Sequence, residues 1–273
     1  MLSRVDVYSE RGLVLSLPIF DQTEGYLVKD IAGLDPVDAV LGYSSQANQD
    51  DEQEQSAKRV KRNIIFKLGY EPNYVDDSVE ILRDRLSQFF MPKSNIRMRF
   101  FSDTKPTVDI SGRVEKFSSP LFAKDPEATI SVICAKSSFV GLNSLTFGGN
   151  TTAGTTELEQ TYDGTIETGG LFRILPNRSV NEFTIYNRLP DDSVQSQEFV
   201  YPLLNGDILE INSVNLNKSA RLTRGGTTSS VLFGISPYSQ WLNLYPGVNK
   251  LRVAATGAAI PWTFQYANKY GGL

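Results

Sequence analysis

Hydrophobic and polar residues alternate with a period of two in many short segments of this chain, which is the pattern of β-strands with one buried face. The clearest segments read RNIIFKLGY, NIRMRFF, TVDISGRVEKF, EFTIYNR, KLRVA and PWTFQY. The apolar residues on a shared face are Ile64, Phe66 and Leu68 in the first segment and Ile96, Met98 and Phe100 in the second. Turn signals separate these segments at short intervals. We therefore expect a mainly β protein.

One segment, DDSVEILRDRLSQFFMP, has helical spacing instead. Its apolar residues recur three or four positions apart and are Val79, Leu82, Leu86, Phe89 and Phe90. Asp77 can cap the start with Glu80 at the third helical position, and Pro92 ends the run. The pattern predicts an amphipathic helix over about residues 78–90, packed on a sheet or on a subunit partner.

The amino-acid composition of the chain changes between Lys136 and Thr168, where Gly, Ser and Thr dominate. A chain of 273 residues exceeds the usual size of one domain, so two domains are expected. We predict a mixed domain of strands with one helix over residues 1–136. An all-β sandwich is predicted over residues 137–273.

The chain has no histidine, and Cys134 is its single cysteine. These counts exclude Ser-His-Asp and Cys-His catalysis, His-containing zinc sites and disulfides within one chain. Cys134 lies in an apolar run and is interpreted as a buried core thiol. The carboxylate pairs Asp76-Asp77 and Asp191-Asp192 fit a helix cap and a turn better than acid–base chemistry. Glycine-rich segments lack phosphate-binding spacing, and we predict no catalytic residues, no cofactor and no metal site.

The charge balance argues against nucleic acid as a partner. The net charge is -4 and the pI is about 5.1, so no basic field is available to neutralise phosphates. No run approaches the roughly 20 apolar residues that cross a bilayer, and no membrane insertion is expected. The N-terminus also lacks the apolar region of a signal peptide. We therefore expect a protein made in a cytoplasm and not exported by the general secretion route.

Several aromatic residues of the C-terminal half could stack on sugar rings. The candidates are Tyr238, Trp241, Tyr245 and Trp262. The alternative interpretation places the tryptophans in the core, since Trp262 is in phase with Phe264 and Tyr266 on one strand face.

The stretch SQANQDDEQEQSAKRVKRN carries sorted charges. Its acidic part consists of Asp50, Asp51, Glu52 and Glu54, and its basic part consists of Lys58, Arg59, Lys61 and Arg62. A solvated loop or a short helix with Glu54 and Lys58 paired at i, i+4 would explain the segment without a function. An interface between subunits is the functional alternative, because two unlike surfaces can pair around a cyclic assembly.

Five segments taken in order resemble the distal tail proteins, Dit-like, of long-tailed bacteriophages. They are GLDPVDAVL (Gly33 to Leu41), KRNIIFKLGYEPNY (Lys61 to Tyr74), FFMPKS (Phe89 to Ser94), VDISGRVEKFSSPLF (Val108 to Phe122) and the closing WLNLYPGVNKLRV with its KYGGL end. The likeness is strongest from Asp30 to Lys136 and weaker in the Gly/Thr-rich section.

This resemblance implies a homohexameric ring. The N-terminal domain would be a β-barrel or sandwich-like ring domain with one α-helix and a β-hairpin belt, over about residues 39–69, that laps over the neighbouring subunit. AVLGYSS and RNIIFKL would be the two arms of the belt, and the charged residues between them would form the subunit interface. The C-terminal domain would be a galectin-like or carbohydrate-module-like β-sandwich.

The resemblance also implies a non-enzymatic role in the virion, at the tail tip, after assembly in the host cytoplasm. The ring would connect the tail tube protein to the tail-tip hub protein, and a receptor-binding protein or tail fibre would complete the partners. It would act in host attachment and genome delivery. The alternative function is a carbohydrate-binding module protein that binds host-surface glycans through the C-terminal sandwich, at Tyr238, Trp241 and Tyr245.

Overall fold

Strands make up most of the chain, and the mainly β prediction is confirmed. The computed structural model describes residues 1–21, 24–45, 50–120 and 122–273. Contacts divide the chain into an N-terminal unit, Met1–Leu142 with Tyr270–Leu273, and a C-terminal unit, Asn143–Lys269. Within the described ranges, no helix is long and apolar enough to cross a membrane.

The N-terminal unit consists of antiparallel strands and one α-helix. Its strands are β1 (Leu2–Ser9), β2 (Val14–Pro18), β3 (Tyr26–Ala32), β4 (Ala39–Ser44), β5 (Gln53–Arg59), β6 (Arg62–Tyr70), β7 (Asn95–Ser102), β8 (Val108–Ser118), β9 (Glu127–Cys134) and the start of β10 (Phe139–Asn150). The main sheet runs from β2 through β1 and β7 to β8, and from β8 through β9 and β6 to β3. Strand β10 pairs with β8 at Val140 opposite Asp109, so the compact unit extends past residue 136.

The core of the N-terminal unit follows the alternation in the sequence. Residues Ile64, Phe66 and Leu68 of β6 are fully buried, and so are the predicted inward residues of β7. The intervening residues point to the other face of the sheet, because successive side chains of a strand alternate. The hydrophobic pattern therefore identified this core correctly.

The predicted helix is α1 (Val79–Phe89), and it packs on the same core through Leu82, Leu86 and Phe89. The hydroxyl of Tyr26 donates a hydrogen bond of 2.8 Å to the carbonyl oxygen of Leu82. The predicted cap was wrong by one residue. Ser78 is the N-cap, since its backbone is extended and its Oγ accepts from the backbone N–H of Ile81 at 3.3 Å.

The C-terminal unit is a sandwich of two antiparallel sheets. Its strands are β11 (Leu158–Tyr162), β12 (Thr168–Gly169), β13 (Leu171–Ile174), β14 (Val180–Arg188), β15 (Val194–Leu203), β16 (Ile208–Asn212), β17 (Ser219–Arg224), β18 (Thr227–Ser230), β19 (Asn243–Leu244), β20 (Gly247–Ala254) and β21 (Pro261–Tyr270), with a 3₁₀ turn at Leu232–Gly234. One sheet has the order β18-β17-β16-β13-β21, and the other has the order β11-β20-β14-β15. The final strand pairs with β13 at Phe264 opposite Phe172.

Apolar side chains from both sheets fill the space between them. Phe172 and Trp262 stack with their ring centroids 5.8 Å apart, and Phe183 and Phe199 lie 5.3 Å apart. Trp262 is 3% exposed, so its assignment to the core is confirmed. Aromatic pairs at these distances add to the stabilisation that burial of their apolar area provides.

Candidate functional site

Strands β4 and β5 form a two-stranded ribbon that pairs with no other strand of the described residues. In its register Ala39 lies opposite Arg59. Every residue of β5 is exposed, while β4 leaves Val40, Leu41 and Tyr43 exposed by 59%, 48% and 52%. An isolated two-stranded hairpin is at best marginally stable in water. The ribbon is therefore a candidate for contact with another surface.

The second arm of this hairpin differs from the predicted one. Strand β4 pairs with β5, which reads QEQSAKR, and not with the RNIIFKL segment in β6. Strand β6 instead pairs with β3 and β9 in the core sheet. The apolar face of β6 belongs in a core, whereas β5 has no apolar face to bury. Of the predicted belt excursion, residues 46–49 lie outside the described residues.

The charges of the ribbon are separated along its length. The acidic tip, in the loop and at the start of β5, consists of the exposed residues Asp50, Asp51, Glu52 and Glu54. The basic base, at the other end of β5 and just beyond it, consists of the exposed residues Lys58, Arg59 and Lys61. Because a strand rises about 3.3 Å per residue, Glu54 and Lys58 lie roughly 13 Å apart. The short-helix alternative is wrong, since residues 53–59 form a strand.

Arg62 departs from the predicted set because its side chain is buried, with 1% exposed. The guanidinium donates from Nε to the carbonyl oxygen of Ser137 at 2.7 Å and from Nη1 to that of Asp35, also at 2.7 Å. It donates further to the carbonyl oxygens of Gly33 and Gly271. A side chain with these partners is not available to a neighbouring subunit, and we leave Arg62 out of the candidate interface.

The environment of Arg62 favours hydrogen bonding over an ion pair. Its guanidinium carbon lies 4.4 Å from the centroid of the Phe139 ring, at the distance of a cation–π contact. Burial lowers the pKa of Arg62 from its usual value, because desolvation disfavours the charged form. The sequence did contain a signal for this position, since Arg62 is in phase with Ile64 on the inward face of β6.

The three candidate glycan contacts differ in exposure. Tyr238 is 96% exposed, while Trp241 and Tyr245 are half-buried. The ammonium nitrogen of Lys218 lies 5.3 Å from the Trp241 ring centroid. Sequence reasoning missed Phe233, which is 75% exposed and meets Tyr201 edge to face at 5.5 Å.

Tyr238 and Phe233 belong to one segment that comes after β18 in the chain and runs alongside the outer strand β15. Backbone N–H groups of Ser236 and Gln240 donate to the carbonyl oxygens of Glu198 and Ser196, at 3.0 Å and 2.8 Å. This edge of the C-terminal unit therefore presents aromatic rings to solvent.

The residues with catalytic or metal-binding chemistry lie apart from one another. Among the described residues no three His, Cys, Asp or Glu side chains are grouped to hold a metal ion. Cys134 is fully buried, and burial raises the pKa of its thiol to about 11. Asp191 accepts from the backbone N–H and the hydroxyl of Ser193 at 3.0 Å and 2.6 Å, which is the geometry of a turn.

Comparison with known proteins finds a family-model match in the C-terminal unit and a similar fold over nearly the whole chain. Residues 163–270 match the family model of the siphovirus-type tail component, C-terminal domain. None of the curated proteins matches the chain. The fold is similar to that of Dit (gp 19.1) of phage SPP1, described as a paradigm of the hub adsorption apparatus in phages that infect Gram-positive hosts.

The likeness to SPP1 Dit has a TM-score of 0.66 at 16% identity, over 97% of this chain and 98% of that one. A chain of the phage P2 baseplate in its activated conformation with Ca aligns over 100% of both chains, at a TM-score of 0.44 and 9% identity. This second likeness is too weak to carry an argument. The match over residues 163–270 and the fold shared with SPP1 Dit confirm the predicted resemblance of this chain to the Dit-like distal tail protein family.

Proposed function

We propose that this chain is a virion structural protein that forms a closed ring of six subunits at the distal end of a phage tail. The observation that carries the proposal is the unpaired β4–β5 ribbon in a chain with a Dit-like fold. The ribbon exposes apolar residues on one strand and sorted charges on the other. A cyclic interface joins two unlike surfaces of each subunit, and a ribbon that laps over its neighbour supplies one of them.

The two units would have different tasks in this ring. The N-terminal unit, with the ribbon as a belt, would close the ring and continue the tail tube. The C-terminal unit would carry the receptor-binding apparatus, and the ring would join the tail tube protein to the hub protein. In this role the protein is non-catalytic, acts in host attachment and genome delivery, and is located in the tail tip after assembly in the host cytoplasm.

The test of ring formation is the mass of the protein in solution. Native mass spectrometry of the full chain should give six copies. Replacing the exposed apolar residues of β4 should reduce ring yield, because their burial against the neighbour would drive association. The ribbon variant is Val40→Ser, Leu41→Ser and Tyr43→Ser.

A matched control is Val194→Ser with Val200→Ser, two residues of β15 that are exposed by 48% and 52%. This control should assemble like the wild type. Circular dichroism should report the same fold for all three proteins. A wild-type chain that stays monomeric at every concentration would contradict the proposed ring.

A second candidate function is glycan binding by the C-terminal unit. The observation that favours it is the exposed aromatic edge with Tyr238 and Phe233, because aromatic faces stack on sugar rings. The full chain should then bind members of a glycan array, and Tyr238→Ala should weaken that binding at least about tenfold if the ring supplies about 1.4 kcal/mol. Val194→Ser is the control on the same strand edge, and a chain that binds no glycan would rule this function out.

A further inference from the structure

A groove of about 970 Å³ crosses strand β8 in the N-terminal unit. We call it the β8 groove, and its lining includes Pro92, Lys93, Ser111, Arg113, Lys136 and Val140. The groove arises from irregular pairing beside β8. Strand β9 pairs with β8 up to Ile133 opposite Arg113, and β10 resumes at Val140 opposite Asp109. The longer segment between Ile133 and Val140 bulges away from β8 and forms one wall.

The wall of the groove is held by the buried arginine. Arg62 Nε donates to the carbonyl oxygen of Ser137 within the bulge at 2.7 Å. Phe139, whose ring the guanidinium contacts, lies two residues further along the same segment. A surface fixed by a buried side chain is preorganised, so less conformational freedom is lost when a partner binds.

The available charge in the β8 groove is positive. Lys93, Arg113 and Lys136 are exposed, and among the described residues none of the three forms an ion pair. Of the two carboxylates in the lining, Asp109 is paired with Arg99, whose Nε and Nη2 donate to it at 2.8 Å and 2.9 Å. Glu115 stays charged and exposed and accepts from the hydroxyl of Ser131 at 2.8 Å. Three cationic side chains therefore stand against one carboxylate, and the groove has a net positive charge.

The β4–β5 ribbon has the complementary properties. Its acidic tip carries four exposed carboxylates, Asp50, Asp51, Glu52 and Glu54. Its strand β4 exposes Val40, Leu41 and Tyr43, and the groove offers apolar surface at Pro92, Ile133 and Val140. A concave surface with a net positive charge attracts a partner of the opposite sign.

We propose that the β8 groove of one subunit receives the acidic tip of the ribbon of the neighbouring copy of this chain. The inference rests on the ring proposed above and names the surface that each ribbon contacts. Lys93, Arg113 and Lys136 bind the carboxylates of the tip. The apolar surface of the groove, at Pro92, Ile133 and Val140, covers part of β4.

The basic base of the next ribbon is the competing acceptor for the acidic tip. It also carries positive charge, at Lys58 and Lys61, but it lies on a thin ribbon with every residue of β5 exposed. Ion pairs on such a surface contribute little because water and salt screen them. The β8 groove combines charge with a concave apolar surface, and it is therefore the better acceptor.

The test exchanges charges between the two surfaces in the full chain and measures ring yield by native mass spectrometry and light scattering. The tip variant is Asp50→Lys, Asp51→Lys, Glu52→Lys and Glu54→Lys. The groove variant is Lys93→Glu, Arg113→Glu and Lys136→Glu. The base variant is Lys58→Glu, Arg59→Glu and Lys61→Glu.

The tip variant and the groove variant should each raise the concentration for half-assembly by about tenfold or more at low salt, because like charges then face each other. The tip and groove variants combined in one chain should restore assembly, whereas the tip and base variants combined should not. Raised salt should soften each single defect, since the Debye length falls from about 10 Å at 0.1 M to about 3 Å at 1 M.

The control for the groove variant is Lys105→Glu with Lys124→Glu, two exposed lysines of the same unit outside the groove. It should assemble normally. Circular dichroism and thermal melting of the monomer fraction establish that every variant folds, and any variant that does not fold is replaced by its single substitutions.

Three results would overturn the proposed groove contact. In the first, the base variant restores assembly of the tip variant. In the second, the chain with the tip and groove variants combined assembles no better than either variant alone. In the third, the groove variant assembles like the wild type. In each of these results wild-type rings still form, so the proposed function stands. Failure of the ring itself is recognised separately, as a wild-type chain that never assembles.

Discussion

The alternation of β6 places Arg62 in the core, although the residue belongs to the stretch KRVKR with its four basic side chains. Lys61 and Arg62 are neighbours in the chain, yet Lys61 is exposed and Arg62 is 1% exposed. Adjacent residues on a strand point to opposite faces, so the inward phase of Ile64 decides the direction of Arg62. The buried guanidinium then satisfies carbonyl oxygens of three separate segments.

We expect Arg62→Met to destabilise the N-terminal unit by about 3 kcal/mol, because several partly buried carbonyl oxygens would lose a charged donor at about 1–3 kcal/mol each. Urea denaturation followed by fluorescence measures the change. Lys61→Met is the matched control and should change the free energy of unfolding by no more than about 0.5 kcal/mol. Equal stabilities for the two variants would contradict the structural role of Arg62.

Helix α1 was predictable as an element because its apolar stripe has a period that no strand shares. Its exact start was not predictable, since Asp77 and Ser78 are both good capping residues. Local geometry decided between them, as the extended backbone of Ser78 brings its Oγ to the N–H of Ile81.

We expect Leu86→Ala to cost about 2–5 kcal/mol, because the side chain is fully buried against the N-terminal core and a cavity would remain. Thermal melting and urea denaturation of the full chain report the loss. Gln88→Ala, on the exposed face of the same helix, keeps helix propensity and should be close to neutral. An unchanged melting temperature for Leu86→Ala would mean that the stripe does not pack as described.

The β4–β5 ribbon is the element for which the sequence was least informative. Its charged strand QEQSAKR has no alternation of apolar residues, so the pattern favoured a loop or helix as much as a strand. The resemblance to Dit-like proteins pointed to a hairpin, but it assigned the second arm to β6. The structure supplied what the pattern lacked, because Val40 and Leu41 of β4 are exposed and every residue of β5 is exposed.

At the scale of the whole molecule, the proposed ring should make stability depend on concentration. Subunits that bind only folded neighbours are stabilised by mass action, so the melting temperature should rise as the protein concentration is raised from about 1 to about 100 μM. Scanning calorimetry of the wild type and of the ribbon variant tests this. The ribbon variant should lose the dependence, and a wild-type melting temperature that is independent of concentration would argue against an assembly of folded subunits.

The sequence by itself determined which residues face a core, because period-two and helical spacings are local properties of the chain. Burial of the apolar face they create is favourable whichever strand lies next to it. It also established that histidine chemistry is absent, since that depends on composition alone. Only the tertiary structure decided which strand pairs with β4, which carbonyl oxygens Arg62 binds and where β9 and β10 open the β8 groove. These features depend on contacts between distant segments, and several pairings are compatible with the same local pattern.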